Sequence, residues 1–128
     1  MIVDTSAIAA IVFQEPGHAE IIAKLVGASH AGIGTPTLAE AGIVLTARLK
    51  KDGRSLLLRF LQEFDITQVP FGEAHWREAV EGYLRFGKGR HPAGLNFGDC
   101  MTYATARLAK RPVLCVGVDF SKTDIPVA

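Results

Sequence analysis

Hydrophobic positions along this chain form short runs typical of β-strands, alternating with longer runs at helical spacing. The short runs predict four strands, over Met1–Asp4, Ile33–Thr35, Ile66–Val69 and Val113–Val116. Helical segments separate these strands, so we expect parallel pairing with helices on both faces of the sheet. The pattern therefore predicts a three-layer α/β/α domain with a central parallel sheet of four to five short strands.

Capping and helix-breaking residues bound the predicted helices. Their spans are Ser6–Phe13, a segment around Ile21–Val26, Thr35–Lys51, Ser55–Phe64, Glu73–Phe86 and Asn96–Lys110. Ser6, Thr35 and Asn96 are the expected N-caps, because their side-chain oxygens can accept the free amide hydrogens of a first helical turn. Asp99 completes a capping box with Asn96. Ser55–Phe64 has apolar side chains around most of its circumference, which predicts burial on more than one side.

Composition narrows the class of protein. The chain has 128 residues, which predicts one domain over 1–128, and its 48% hydrophobic content excludes a disordered or fibrous protein. No stretch has the length of a membrane span or the basic flank of a signal peptide, so we expect a cytoplasmic protein without a membrane partner. Cys100 and Cys115 form no metal-binding or redox motif and are expected to be buried.

Charge alone gives no sign of a nucleic-acid partner. Fourteen Lys and Arg residues against 13 Asp and Glu residues leave a net charge of +1. Proteins that coat nucleic acid by bulk electrostatics carry a large positive excess. A role with nucleic acid would therefore have to depend on local charge.

Four acidic residues fall where the predicted sheet would place a ligand site, beyond the carboxyl ends of its strands. Asp4 closes the first strand, and Glu40 lies about one turn into the helix after the second. Asp99 is in the first turn of a later helix, and Asp119 follows the last strand. Taken alone, Asp99 can be a helix cap, Asp119 a turn residue and Glu40 a solvated helix residue.

If these four acids lie close together, the repulsion between their carboxylates must be offset. Two carboxylates about 4 Å apart repel by roughly 4 kcal/mol at an effective dielectric constant near 20. Three or four together must take up protons or bind a cation. All-oxygen ligands suit Mg²⁺ or Mn²⁺, which can activate water and neutralise a phosphate. The residues by themselves thus indicate metal-dependent phosphoryl chemistry.

Five segments resemble PIN-domain nucleases, in particular the VapC-type toxins of bacterial toxin–antitoxin pairs. They occur in the family's order: Met1–Ala7, Thr37–Val44, Arg85–Ala93, Leu95–Cys100, and Gly117–Phe120 with Thr123–Ile125. Each segment alone is a weak signal, but five in order span nearly the whole chain. The resemblance implies a PIN-like fold.

The resemblance also implies roles for individual residues. The family's acidic quartet falls on the four acids chosen above by position, Asp4, Glu40, Asp99 and Asp119. These would hold one or two Mg²⁺ or Mn²⁺ ions and direct a water at an RNA phosphodiester without a covalent intermediate. Thr5, Ser6 and Asn96 match polar positions that would support the ligands. Val118 departs from the family, whose members often carry Asn or an acid there, so a ligand or hydrogen bond from that position is missing.

The loop between the last two predicted helices is basic. Its expected RNA contacts are Arg85, Lys88, Arg90 and His91, since a few cations can steer phosphates toward the acids. The alternative is a solvated loop without a partner.

The resemblance implies two protein partners, a second copy of the chain and a cognate antitoxin. The helix Ser55–Phe64 is expected to be ordinary core or a surface for one of them, and Trp76 is expected in core or interface. Two other functions compete with RNA cleavage. One is a metal-dependent phosphatase acting on small phosphomonoesters, and the other is a binding module that keeps the fold without catalysis.

Overall fold

The computed structural model describes all 128 residues. Its strands are β1 (Ile2–Val3), β2 (Ala31–Gly34), β3 (Ile66–Val69) and β4 (Val113–Leu114). Its helices are α1 (Thr5–Val12), α2 (His18–Val26), α3 (Thr35–Leu49), α4 (Arg54–Glu63), α5 (Glu73–Phe86) and α6 (Phe97–Ala109). One turn of 3₁₀-helix, Phe120–Lys122, follows β4.

The four strands form one parallel sheet in the order β3-β2-β1-β4. Ile2 of β1 pairs with Gly32 of β2 on one side and with Val113 of β4 on the other. Helices connect the strands, as parallel pairing requires. The predicted three-layer α/β architecture is confirmed.

Two hydrophobic cores lie on the two faces of this sheet. Successive strand residues point to opposite faces, and β1 divides accordingly. Val3 joins the core that α1, α2, α3 and α4 cover, whereas Ile2 joins the core that α5 and α6 cover. Cys100 and Cys115 are buried in the second core, as predicted.

The element boundaries differ from the prediction at three strands. β2 begins at Ala31, which pairs with Ile66, and it ends at Gly34. β4 ends at Leu114 rather than Val116, because the Val116 amide donates to the Ser6 hydroxyl instead of a neighbouring strand. β1 ends at Val3, one residue before Asp4.

Two predicted N-caps were wrong. Asp4, not Ser6, caps α1, because its carboxylate accepts the Ser6 amide hydrogen. Gly34, not Thr35, holds the cap position of α3, with Thr35 as the first helical residue and no side-chain capping bond. The predicted capping box of Asn96 and Asp99 at α6 is confirmed.

Helix α4 is buried on one side only, against the prediction for Ser55–Phe64. Leu57, Phe60 and Leu61 face the first core, while Leu58 is 53% exposed. The helix packs against α3 and β3 on one face, and no element covers the opposite face.

No helix in the structure combines the length and the apolar character that crossing a membrane requires.

Candidate active site

The four candidate acids reach the carboxyl edge of the sheet from three of its strands and from α6. Asp4 follows β1 directly and is the N-cap of α1. Glu40 lies on α3, the helix that leaves β2. Asp99 is in the first turn of α6, and Asp119 precedes the 3₁₀ turn after β4. Strands β2, β1 and β4 are neighbours in the sheet, so their carboxyl ends lie side by side.

Asp4 is the most enclosed of the four acids, at 5% exposure. Its Oδ2 accepts hydrogen bonds from the Ser6 amide at 3.1 Å and the Ser6 hydroxyl at 2.6 Å. Its Oδ1 accepts one from the Thr102 hydroxyl at 2.7 Å. Three donors therefore compensate a buried carboxylate that forms no ion pair.

Glu40 lies between α1 and the first turn of α6. Its Oε1 accepts a hydrogen bond from the Thr5 hydroxyl, which also reaches the Thr37 carbonyl oxygen at 3.4 Å. The carboxylate packs directly on Gly98, where an added Cβ would lie 2.9 Å from the Glu40 Cδ atom. A residue without a side chain at 98 thus lets Glu40 stand next to Asp99.

The pKa of Asp99 is affected by the charges of the other three acids. Its Oδ2 accepts a hydrogen bond from the Asn96 amide, and its own amide donates to the Asn96 Oδ1. The pKa of Asp99 is raised to about 6 from 3.8, and burial is the largest cause. The hydrogen bond from Asn96 opposes this increase, and the negative charges of the other three acids reinforce it.

Asp119 is the exposed member of the quartet. Its charge contributes to the raised pKa of Asp99, which shows that it lies in electrostatic reach of the site. Its neighbour Val118 is 59% exposed and offers no polar group. The side of the site near Asp119 is therefore open to solvent and has fewer donors than the side near Asp4.

The chemistry of this donor set fits a hard divalent cation. Four carboxylates supply only oxygen ligands, and none of them takes part in an ion pair. As the side chains lie, no three acidic, His or Cys groups stand close enough to chelate one ion. Binding an ion would require the carboxylates to turn toward one another. The ion's positive charge would offset the repulsion that adds to the effect of burial on the pKa of Asp99.

Each of the three predicted supporting residues contacts one acid: Thr5 contacts Glu40, Ser6 contacts Asp4, and Asn96 contacts Asp99. Sequence reasoning missed two further hydroxyls, those of Thr37 and Thr102, which reach Asp4 in series. Thr37 lies three residues before Glu40, and Thr102 lies three residues after Asp99. That helical spacing was the available signal.

The predicted RNA-contact residues differ in how free their side chains are. Arg85 pairs with Asp124 at 3.1 Å, and Arg90 bonds the Leu84 carbonyl oxygen at 3.3 Å. The His91 Nδ1 accepts the Ala93 amide hydrogen, and its ring stands edge-on to Phe86. The Lys88 ammonium is exposed and forms no hydrogen bond or ion pair. Its backbone amide donates to Leu95 O, which anchors the loop beside the start of α6.

The two buried cysteines are not candidate nucleophiles. Burial raises the pKa of both the Cys100 and the Cys115 thiol to about 11. The thiolate is the reactive form of cysteine. Both side chains therefore stay protonated near neutral pH.

Comparison with known proteins places this arrangement in a family. The PIN domain family profile matches residues 1–126. The chain is 46% identical to ribonuclease VapC36 of Mycobacterium tuberculosis over 126 residues, which cover 98% of this chain and 91% of that protein. It is 36% identical to ribonuclease VapC30 of the same organism, with 98% and 95% covered.

Solved structures share the fold at lower identity. The toxin VapC20 of M. tuberculosis, described as cleaving the sarcin–ricin loop, superposes with a TM-score of 0.79 at 17% identity. That match covers 99% of this chain and 97% of VapC20. A toxin–antitoxin complex from Klebsiella pneumoniae superposes with a TM-score of 0.72 at 13% identity, covering 99% and 95%.

In the absence of metal, the Asp99→Asn variant should gain stability relative to the native chain as pH rises. Its advantage over the native chain should be larger at pH 7 than at pH 4. A folded-state pKa of about 6 lies above the unfolded value, so folded Asp99 keeps its proton while unfolded Asp99 loses it. The native chain therefore loses stability from Asp99 as pH rises from about 4 to above 6, and Asn removes this loss. Melting temperatures in chelator across that range measure it. A Tm difference between the two proteins that does not change with pH would contradict the assignment.

Replacement of Gly98 by Ala should weaken Mn²⁺ binding by about 10- to 100-fold, the range seen when contacts around a metal ligand are disturbed. The added methyl group would displace the Glu40 carboxylate, which lies too close to accept it. Calorimetric titration with Mn²⁺ measures the change. Gly72→Ala is the matched control, because no atom lies within 4 Å of its added Cβ. Equal Mn²⁺ affinity in the two variants would contradict this role for Gly98.

Proposed function

This chain belongs to the VapC ribonucleases of the PIN-domain family, and we propose that it cleaves RNA with a divalent metal ion held by Asp4, Glu40, Asp99 and Asp119. The observation that carries the proposal is geometric: four carboxylates without an ion-pair partner lie at one edge of the sheet. The charges of the other three acids also add to the effect of burial in raising the pKa of Asp99. Four unpaired carboxylates in electrostatic contact favour binding of a cation. Mg²⁺ and Mn²⁺ are the candidates, because both prefer oxygen ligands.

The metal would supply charge neutralisation at the phosphate and a more acidic water. The protein's own side chains would orient the acids that bind the metal. Ser6 holds one oxygen of Asp4, Thr5 holds one oxygen of Glu40, and Asn96 fixes Asp99 at the start of α6. Because neutral hydroxyl and amide groups hold these acids, no lysine or arginine occupies the place that the metal would take.

Substrate would approach over the loop between α5 and α6. Lys88 and Arg90 are exposed there, and Lys88 is bonded through its backbone to Leu95, two residues before α6 begins. Phosphate contacts from these cations would bring a polyanion to an acidic site that otherwise repels it. We expect Arg85 and His91 to contribute less to phosphate binding, because Arg85 is already paired with Asp124 and His91 already accepts the Ala93 amide hydrogen.

Replacing Asp4 or Asp99 by Asn should lower RNA cleavage by more than about 100-fold, a larger loss than removal of a supporting contact usually causes. Either change removes an anionic ligand while keeping the shape of the side chain. The assay is cleavage of total cellular RNA with Mn²⁺, with the fragment ends mapped. Asp65→Asn is the control, because Asp65 is exposed and lies in the turn between α4 and β3.

Two outcomes would contradict the proposal. One is a folded Asp99→Asn protein that cleaves RNA as fast as the Asp65→Asn control. The other is a native protein that hydrolyses a chromogenic phosphomonoester but not RNA, which would establish the phosphatase alternative.

VapC toxins pair with antitoxins, and the structure offers a groove of the right kind for one. The groove between α3 and α4 has a volume of about 1100 Å³ and an apolar floor that includes Leu38, Leu57 and Leu61. Ile43 and Leu58 line it while 70% and 53% exposed. Lys50, Lys51 and Arg54 lie along it, and only Arg54 is paired, with Asp52. We infer that it receives an amphipathic antitoxin helix with acidic flanks.

A second apolar surface suits a homodimer. Trp76, Val80 and Leu84 of α5 are each about half exposed and recur every four residues, so they form one stripe on the helix. Trp76 was expected either in the core or at an interface. Its exposure excludes the core. An apolar stripe on one helix can pack against the same stripe of a second copy around a two-fold axis.

Ile43→Glu should weaken antitoxin binding by at least about tenfold and leave the dimer intact, whereas Val80→Glu should do the reverse. A buried charge costs more than a kcal/mol at either interface. Calorimetry with the cognate antitoxin and light scattering of the toxin alone measure the two effects, so each variant serves as the other's control. If Ile43→Glu dissociates the dimer instead, the groove between α3 and α4 is the dimer contact.

A further inference from the structure

Three buried polar side chains form a chain of hydrogen bonds beneath the acidic site. Thr37 on α3 is 1% exposed, Thr102 on α6 is fully buried, and Asp4 is 5% exposed. The two threonine hydroxyl oxygens are 3.2 Å apart, and the Thr102 hydroxyl is 2.7 Å from the Asp4 Oδ1 atom. Neither threonine belongs to the quartet or to its three predicted supports.

The direction of these hydrogen bonds follows from the number of hydrogens. A hydroxyl group has one hydrogen to donate. Thr102 gives its hydrogen to the carboxylate of Asp4, so the Thr37 hydroxyl must donate to Thr102. The chain therefore runs from Thr37 through Thr102 to Asp4, and each bond polarises the next among these buried side chains.

The two threonines also lie one helical turn from the other two inner acids. Thr37 is three residues before Glu40 on α3, and Thr102 is three residues after Asp99 on α6. Residues three apart share a face of a helix. The bond between the two hydroxyls thus joins α3 to α6 about one turn from Glu40 on one helix and from Asp99 on the other.

Thr105, one turn further along α6, is a buried threonine that contacts no acid and serves as a comparison for Thr102. Its hydroxyl bonds back to the Met101 carbonyl oxygen of its own helix at 2.9 Å. Thr102 is equally buried but donates across to Asp4 instead. The contact of Thr102 is thus specific to the site and is not a general property of threonine in this helix.

We propose that Thr102 and Thr37 are positioning residues for the metal site, which set the orientation of Asp4 and the separation of α3 and α6. This rests on the proposed function, because it presupposes that the acids bind a metal. The hydroxyl chain holds Asp4 Oδ1 in place before any ion arrives, so the movement needed to bring the ligands together falls to the other carboxylates. It also couples the three elements that carry Asp4, Glu40 and Asp99.

The test is Mn²⁺ affinity without RNA, measured by calorimetric titration. Thr102→Val keeps the size of the side chain but cannot donate to Asp4, and we expect its Mn²⁺ Kd to rise about 10- to 100-fold. Thr102→Ser restores the hydroxyl and should recover most of the affinity. Thr105→Val removes a buried hydroxyl from the same helix without touching an acid, and its Kd should equal that of the native chain.

A second pair of variants keeps the test independent of folding. Thr37→Val breaks only the outer bond and should weaken Mn²⁺ binding less than Thr102→Val does. The double variant should bind no more weakly than Thr102→Val alone, since both residues act through one chain. Thermal denaturation of each variant in chelator identifies any that are unfolded, and Thr37→Val carries the test if Thr102→Val is among them.

The outcomes separate this proposal from the one it rests on. If the native chain binds Mn²⁺ and cleaves RNA while Thr102→Val and Thr105→Val bind Mn²⁺ equally, the positioning role is overturned and the proposed function stands. Failure of Thr102→Ser to recover affinity would also overturn it. If the native chain binds no Mn²⁺, both proposals fall together.

Discussion

Repulsion among the four carboxylates at the carboxyl edge of the sheet is the interaction that the surrounding structure must accommodate. None of them is paired with a cation, and the pKa of Asp99 is raised to about 6 as a result of burial and of its acidic neighbours. The fold holds three of them, Asp4, Glu40 and Asp99, with neutral donors. The hydroxyls of Thr5, Ser6 and Thr102 and the backbone amides at two helix starts supply this support. A structure that used lysine or arginine for the same purpose would fill the place of the proposed metal ion.

The net charge of +1 hides this arrangement, because opposite charges lie in different parts of the molecule. Acids gather at the sheet edge, and exposed cations lie in the loop before α6 and along the groove between α3 and α4. Other charged residues form contacts that link elements of the fold. Asp124 binds Arg85, Arg107 and the Tyr103 hydroxyl, which ties the C-terminal tail to α5 and α6. Local polarity, not the sum of charges, determines which partners can approach each face.

The apolar content divides in a similar way. Two cores, one on each face of the sheet, absorb the residues with the lowest exposure. A remainder stays at the surface in two places, the groove between α3 and α4 and the stripe along α5. Exposed apolar patches of this kind commonly mark contacts with other proteins. None of the four acids lines the groove or belongs to the stripe.

Hydrophobic patterning was sufficient to predict the strand and helix order, since periods of two and near four report directly on local burial. The types and spacing of Asn96 and Asp99 predicted the capping box at α6. The predicted strand order placed the four acids at one edge, because the ends of parallel strands meet there. Caps at α1 and α3 were wrong, since the choice between Asp4 and Ser6 depends on which side chain can turn back to the helix. One-sided burial of α4 was missed for a related reason, because apolar residues do not specify how many neighbours a helix will have.

Only the tertiary structure revealed the hydroxyl chain from Thr37 through Thr102 to Asp4 and the packing of Glu40 on Gly98. Likewise, nothing in the sequence distinguished the exposed Lys88 from Arg85, which is paired with Asp124. These contacts join residues far apart in the chain. Local sequence therefore determined which groups are present at each end of each element. Packing of α1, α3 and α6 around β1 decided which of those groups touch, because hydrogen bonds depend on distances that only the assembled fold defines.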